Sequence, residues 1–216
     1  MEDISDFVKD AKPEDVVIIF VAGHGVLDAD FNYYFGTYDM DFNNPIEKGM
    51  SYERLDRILD NIKSLRKLLI MDTCHSGEVD EEEVEEGGPD VDKVEGDVEF
   101  RSAGAGIRQK EGIGVENSVE LMQDLFSDLR KGSGATVISS AGGAEYAMES
   151  SEWKNGLFTY CFLEGLKNGR ADKNGDGKVL ISELRQYVYD KVTQLSGGKQ
   201  TPTARIENIM MDYRIK

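Results

Sequence analysis

The sequence predicts a layered α/β domain built on a mostly parallel sheet. Three short apolar runs, at residues 16–22, 67–71 and 135–140, have the length and the β-branched content of buried parallel strands. Stretches with helical periodicity separate these runs, and strands that alternate with helices are typical of this fold class. A chain of 216 residues can form one domain with a real core, and no shift in apolar content requires a second domain.

Helical patterns fill the intervals between the strands. Residues 51–62 place Leu55 and Leu59 on one apolar face, and Ser51 stands where an N-cap is expected. The same pattern recurs over residues 118–131. We predict two more helices, over residues 155–167 and 182–194, and a last strand over residues 204–213.

An acidic segment interrupts the alternation of strands and helices. Residues 78–99 carry twelve acids against Lys93, which accounts for −11 of the net charge of −17. Such a field argues against nucleic acid and anionic membranes as partners and favours cations or basic peptides. We predict that residues 78–116 form a flexible surface linker open to proteolysis, and the alternative is a solvated linker without a role.

The cysteine count and the hydropathy indicate a cytoplasmic protein. Two cysteines, Cys74 and Cys161, are too few for a disulfide framework, and the first ten residues lack the features of a signal peptide. The longest apolar runs are far shorter than a membrane span. Cys161, in the stretch FTYCFLEGL, is predicted to lie in the core.

The residues that carry chemistry stand where two predicted strands end. One strand runs into VAGHG with His24, and the next runs into MDTCHSG with Cys74. Because parallel strands end at the same edge of a sheet, we expect a thiol and an imidazole that can share a proton there. The amides of Gly25 and Cys74 would stabilise an oxyanion. Each residue alone is more often structural, and metal binding by His24, Cys74 and His75 is a weaker alternative without a fourth ligand.

Residues 16–25 (VVIIFVAGHG) and 68–78 (LLIMDTCHSGE) resemble the histidine and cysteine motifs of caspase-like cysteine peptidases, closest to metacaspases and their bacterial relatives. His24 and Cys74 lie fifty positions apart, an interval already known for caspases. The resemblance implies a three-layer α/β/α fold, a large-subunit-like part over residues 1–77 and a small-subunit-like part over residues 117–216. The first two strands of the family have no counterpart here, so we expect either that the sequence is a fragment or that a separate or processed N-terminal segment completes the fold.

The resemblance also implies a specificity. In metacaspases an aspartate two residues before the cysteine lines the primary pocket and selects arginine or lysine, and Asp72 stands at that place. Ser140 is a second candidate for substrate binding. A guanidinium would repay the cost of burying this carboxylate. The alternative is that Asp72 merely caps backbone amides. Self-cleavage in the linker is expected after Arg101, Arg108 or Lys110.

A second motif matches a calcium-binding loop. Residues 172–183, DKNGDGKVLISE, place oxygen ligands at the spacing of an EF-hand, from Asp172, Asn174, Asp176, the carbonyl of Lys178, and Glu183. We expect Ca²⁺ to bind here in a structural role, and the alternative is a tight turn held by Asx hydrogen bonds. The acidic run at residues 80–86 would bind a second ion weakly or remain solvated.

The sequence thus favours a cysteine endopeptidase that cuts after arginine or lysine, influenced by calcium and self-processed. Peptides or proteins would be its substrates, without an organic cofactor, and the resemblance favours a monomer. Two alternatives stay open: an inactive calcium-binding scaffold, and a thiol amidase or acyl transferase on the same fold.

Overall fold

A computed structural model describes residues 2–28, 30, 32–75, 98–100, 134–140, 147–206 and 212–216. The strands within these ranges are β1 (Val16–Leu27), β2 (Tyr33–Phe35), β3 (Met50–Ser51), β4 (Arg66–His75), β5 (Val98–Phe100), β6 (Thr136–Ser139), β7 (Met148–Ser150), β8 (Asn155–Gly156) and β9 (Thr203–Ile206). The helices are α1 (Glu2–Val8), α2 (Pro45–Lys48), α3 (Tyr52–Asn61), α4 (Leu157–Lys167) and α5 (Ile181–Leu195). No described helix is long and apolar enough to cross a membrane.

The central sheet has six strands in the order β3-β2-β1-β4-β6-β9. The three strands in its middle, β1, β4 and β6, are parallel, while β2 and β9 run antiparallel to their neighbours. Strands β5, β7 and β8 form a separate antiparallel sheet. The predicted α/β fold with a mostly parallel sheet is therefore confirmed.

The sequence located the main elements well but not all of their ends. Strands β1 and β4 both continue past the predicted limits. Their mutual pairing persists to Gly25 and His75, and β1 then continues to Leu27 through its antiparallel pairing with β2. Helix α3 begins as predicted after Ser51, whose hydroxyl accepts a hydrogen bond from the amide of Arg54 at 3.3 Å. The predicted helix over residues 118–131 and most of the predicted linker lie outside the described residues.

The sheet separates two hydrophobic cores, which gives the three layers. On one side, Leu69 and Met71 of β4 pack against the layer that contains α1 and α3. On the other side, Leu68 and Ile70 pack against α4 and α5. Successive residues of β4 thus face opposite layers, and all four of these side chains are fully buried.

Strand β1 is less buried than its sequence predicts. Val16, Ile18 and Phe20 are 38%, 45% and 44% exposed, although Phe20 contacts Phe162 of α4 with ring centroids 6.4 Å apart. These three residues share the α4 side of the sheet, where the described helices cover β4 and β6 more completely than β1. Burial on both faces, predicted for all three parallel strands, therefore holds for β4 and fails on one face of β1.

The buried Gln200 joins the end of β6 to the start of β7. Its side-chain nitrogen donates to the carbonyl of Ser140 at 2.8 Å, and its side-chain oxygen accepts from the amide of Met148 at 3.0 Å. Gln200 is fully buried. If its side chain were removed, both backbone groups would lose their hydrogen-bond partner at a place that water does not reach. One side chain thereby links the central sheet to the second sheet.

Replacement of Gln200 by leucine should lower the free energy of unfolding by roughly 2–5 kcal/mol, because it orphans a buried carbonyl and a buried amide. Urea denaturation followed by the fluorescence of Trp153, the only tryptophan, measures the loss. Gln194→Leu, at an exposed position near the end of α5, is the matched control and should stay within about 0.5 kcal/mol of the wild type. Equal stability of the two variants would contradict the role assigned to Gln200.

Candidate active site

The end of the β1–β4 ladder brings two predicted residues together at the backbone. The Cα atoms of His24 and Cys74 are partners in this parallel pairing, and Gly25 is paired with His75. Neighbouring strands are about 4.8 Å apart, so positions 24 and 74 adjoin. Alternation along β4 puts position 74 on the side of the sheet that Leu68 and Ile70 share with α4 and α5.

The imidazole of His24 is held on one side and lacks a described partner on the other. The ring of Phe42 meets it edge-on, with centroids 6.1 Å apart, and the carbonyl of His24 accepts a hydrogen bond from the amide of Gly36 at 2.7 Å. Its Nδ1 atom is buried, and no described residue forms a hydrogen bond with it. A buried nitrogen without a partner is uncommon in folded proteins and is found at catalytic positions.

Gly25 is constrained by the ring of Tyr33. A Cβ atom at position 25 would lie 1.7 Å from the hydroxyl oxygen of Tyr33 and 2.3 Å from its Cζ atom. Packing against Tyr33 therefore requires glycine at this position. Gly23 has a φ of +149°, which favours glycine on the other side of His24.

Asp72 is fully buried and contacts the first turn of α4. The hydroxyl of Thr159 donates a hydrogen bond to the Oδ2 atom of Asp72. Asp72 precedes Cys74 by two positions, so the two positions lie on the same side of β4. Asp72 thereby links the last residues of β4 to the first turn of α4.

Ser140 and Thr73 connect β4 to its neighbours beside the same edge. The hydroxyl of Ser140 donates to the carbonyl of Thr73 at 3.3 Å, and its amide donates to the carbonyl of Met71 at 2.8 Å. The hydroxyl of Tyr33 donates to the Oγ1 atom of Thr73 at 3.0 Å. Ser140, predicted to bind substrate, is fully buried, and these contacts give it a role in holding the sheet.

The predicted calcium loop lies between α4 and α5, as its sequence implied. The carboxylate of Asp172 accepts hydrogen bonds from the amides of Gly175, Asp176 and Gly177, while Glu183 accepts from the amide of Leu180 at 3.1 Å. The oxygen donors present are of the kind that Ca²⁺ prefers. In the described part of the chain, however, no group of three or more His, Cys, Asp or Glu is arranged to hold a metal ion. The loop's own Asx hydrogen bonds account for its shape.

The remaining predicted residues lie in the core or outside the described residues. Cys161 is buried in the core between the sheet and the α4 layer, as predicted, and burial raises the pKa of its thiol to about 12. Arg101, Arg108 and Lys110 lie outside the described residues.

Sequence reasoning did not assign a role to Thr159, Tyr33 or Phe42. A weak signal existed for Thr159, a polar residue within the apolar first turns of a predicted helix. Tyr33 and Phe42 become recognisable only through contacts with distant parts of the chain.

The comparison with known proteins agrees with this geometry. The model of the peptidase C14 family, described as a caspase domain, matches residues 1–211. The chain belongs to the caspase-domain family. Members of this family are cysteine peptidases, which supports a peptidase function in general terms.

Solved structures also share the fold of this caspase domain. A crystal structure of a protein from Geobacter sulfurreducens has a TM-score of 0.56 and 17% sequence identity, with 94% of this chain and 70% of that chain covered. At this level of identity the similarity concerns the fold alone. No curated protein is significantly similar to the chain in sequence.

The contact between Gly25 and Tyr33 makes a testable prediction about this caspase domain. Gly25→Ala should lower the free energy of unfolding by about 1–3 kcal/mol or more, because the new methyl group overlaps the tyrosine ring. In a Tyr33→Leu background, where the overlapping atoms are absent, the same substitution should cost much less. Urea denaturation of the four proteins gives the coupling energy, and an equal cost in both backgrounds would disprove the steric explanation.

Proposed function

We propose that the chain is a cysteine endopeptidase that hydrolyses peptide bonds after arginine or lysine, with Cys74 as nucleophile and His24 as general acid and base. The observation that carries this proposal is the pairing of His24 with Cys74 at the end of the β1–β4 ladder. The match to the caspase domain over almost the whole chain supports it. The unpaired Nδ1 atom of His24, within the described residues, suits a group that exchanges protons.

The mechanism follows from these two groups. His24 takes the proton of the Cys74 thiol, and the thiolate attacks the carbonyl carbon of the substrate to form a tetrahedral oxyanion. The amides of Gly25 and Cys74 would stabilise this oxyanion. The C–N bond then breaks as His24 returns the proton to the leaving amine, which leaves a thioester. Water, deprotonated by His24, hydrolyses the thioester and restores the thiol.

The specificity rests on Asp72. Its position two residues before Cys74 on β4 puts it near the proposed nucleophile. Asp72 is the single acidic residue between Lys67 and Thr73. A buried carboxylate favours a ligand that brings a positive charge, because a charge-assisted hydrogen bond offsets the cost of its burial. The acidic character of the chain would also attract basic peptides.

Calcium binding at residues 172–183 is a further part of the proposal. Asp172, Asn174, Asp176, the carbonyl of Lys178 and Glu183 would hold the ion, whose chemistry here is structural. The loop connects α4 to α5, so an ion bound there would hold these two helices in their relative positions. Self-processing after Arg101, Arg108 or Lys110 is proposed because these basic residues follow the acidic segment.

The central test uses fluorogenic peptides with arginine, lysine or aspartate before the scissile bond, with and without calcium. The wild type should cleave the arginine and lysine peptides, and Cys74→Ala should lower kcat/KM by about 10⁴-fold or more. Iodoacetamide at neutral pH should modify Cys74 and leave Cys161 intact, because burial raises the pKa of the Cys161 thiol to about 12. Cys161→Ala is the matched control and should retain turnover.

The outcomes separate the three candidate functions. Modification of Cys74 without turnover of any peptide would favour a thiol amidase or acyl transferase. Absence of turnover, together with no labelling of Cys74 by an arginine-directed electrophile, would favour an inactive scaffold. Mass spectrometry of the same wild-type sample tests self-processing, since cleavage after the three basic residues would give fragments that the Cys74→Ala protein lacks.

The calcium site is tested by thermal unfolding. At about 100 times its Kd, Ca²⁺ should stabilise the wild type by about 2.7 kcal/mol, or roughly 5–10 °C in Tm. Glu183→Gln keeps an acceptor for the amide of Leu180 but removes the charge, so the shift should be largely lost. Glu152→Gln, at an exposed position outside the loop, should keep it. If Ca²⁺ does not shift the Tm of the wild type, the loop is a tight turn held by Asx hydrogen bonds and not a calcium site.

A further inference from the structure

The contact between Asp72 and Thr159 joins the proposed specificity residue to helix α4. Thr159 is the third residue of α4, and its hydroxyl donates to one oxygen of the Asp72 carboxylate. Asp72 is fully buried, whereas Thr159 is only partly buried. The two residues are 87 positions apart, so this bond connects the strand of the proposed nucleophile to the far half of the chain.

The contact restricts how the carboxylate is oriented. The N-cap residue of α4, Gly156, has no side chain that could accept a hydrogen bond from the amides of the first turn. A carboxylate has about four lone-pair positions in the plane of the group, so the bond to Thr159 restricts the orientation of that plane.

We propose that Thr159 is a positioning residue for specificity: it fixes the plane of the Asp72 carboxylate so that the carboxylate receives a guanidinium in a two-point contact. This inference rests on the proposed peptidase function. An arginine side chain is a planar fork that needs a defined carboxylate plane, whereas a lysine ammonium is a compact point charge. Thr159 therefore favours arginine over lysine before the scissile bond.

The test compares Thr159→Val, which keeps the shape and loses the hydroxyl, with Thr159→Ser, which keeps the hydroxyl. For arginine peptides, Thr159→Val should raise KM about tenfold or more and leave kcat within about threefold. The ratio of kcat/KM for arginine to that for lysine peptides should fall at least severalfold. Thr159→Ser should keep the KM and the ratio within about threefold of the wild type.

Two further measurements distinguish positioning from a general structural role. The rate at which iodoacetamide modifies Cys74 does not involve a basic side chain, so it should be the same in the wild type and in Thr159→Val. In an Asp72→Asn background, Thr159→Val should no longer change the ratio of arginine to lysine cleavage, because both residues act through the same carboxylate.

Several results would overturn the inference. An unchanged KM and ratio in Thr159→Val, with normal turnover by the wild type, would overturn this inference alone. If Thr159→Val lowers kcat/KM for all peptides and the rate of Cys74 modification to the same extent, Thr159 has a general structural role, and the inference is overturned as well. If Thr159→Val does not fold, a shifted ratio in Thr159→Ser combined with no effect of Asp72→Asn on the ratio would overturn it. No turnover by the wild type would overturn the proposed function and, with it, this inference.

Discussion

The parallel ladder between β1 and β4 is the constraint on which the rest of the molecule depends. Ten consecutive pairs, from Val16 with Arg66 to Gly25 with His75, run without interruption. The register is fixed because Leu68 and Leu69 belong to different cores, and a slip by one residue would exchange them. The adjacency of positions 24 and 74 is therefore a result of burying apolar side chains far from the active site.

Polar contacts secure the end of this ladder from three directions. Tyr33 of β2 contacts Thr73, Ser140 beyond β6 contacts the backbone of β4, and Thr159 of α4 contacts Asp72. All three contacts meet the last residues of β4 before the proposed nucleophile. A catalytic group is effective only when its surroundings hold it in place, and here the holding groups come from three separate elements of the fold.

The sequence predicts those features that depend on local patterns. Apolar runs locate the parallel strands, Ser51 marks the start of a helix, and the strand ends identify His24 and Cys74. Contacts between distant residues carry no such pattern. The partners of Gln200 and Thr159 lie 60 and 87 positions away, so their roles follow only from the folded arrangement. The partial exposure of β1 has the same origin, because burial on a face depends on which helices cover it.

The shared volume of Gly25 and Tyr33 has a consequence for the evolution of this domain. The Cβ of any other amino acid at position 25 would occupy the space of the phenol ring, so position 25 must remain glycine as long as Tyr33 is present. A lineage that acquires a larger residue after the histidine must first shrink the residue at position 33. Doing so also removes the hydroxyl that binds Thr73. Covariation of these two positions among homologues would record that history.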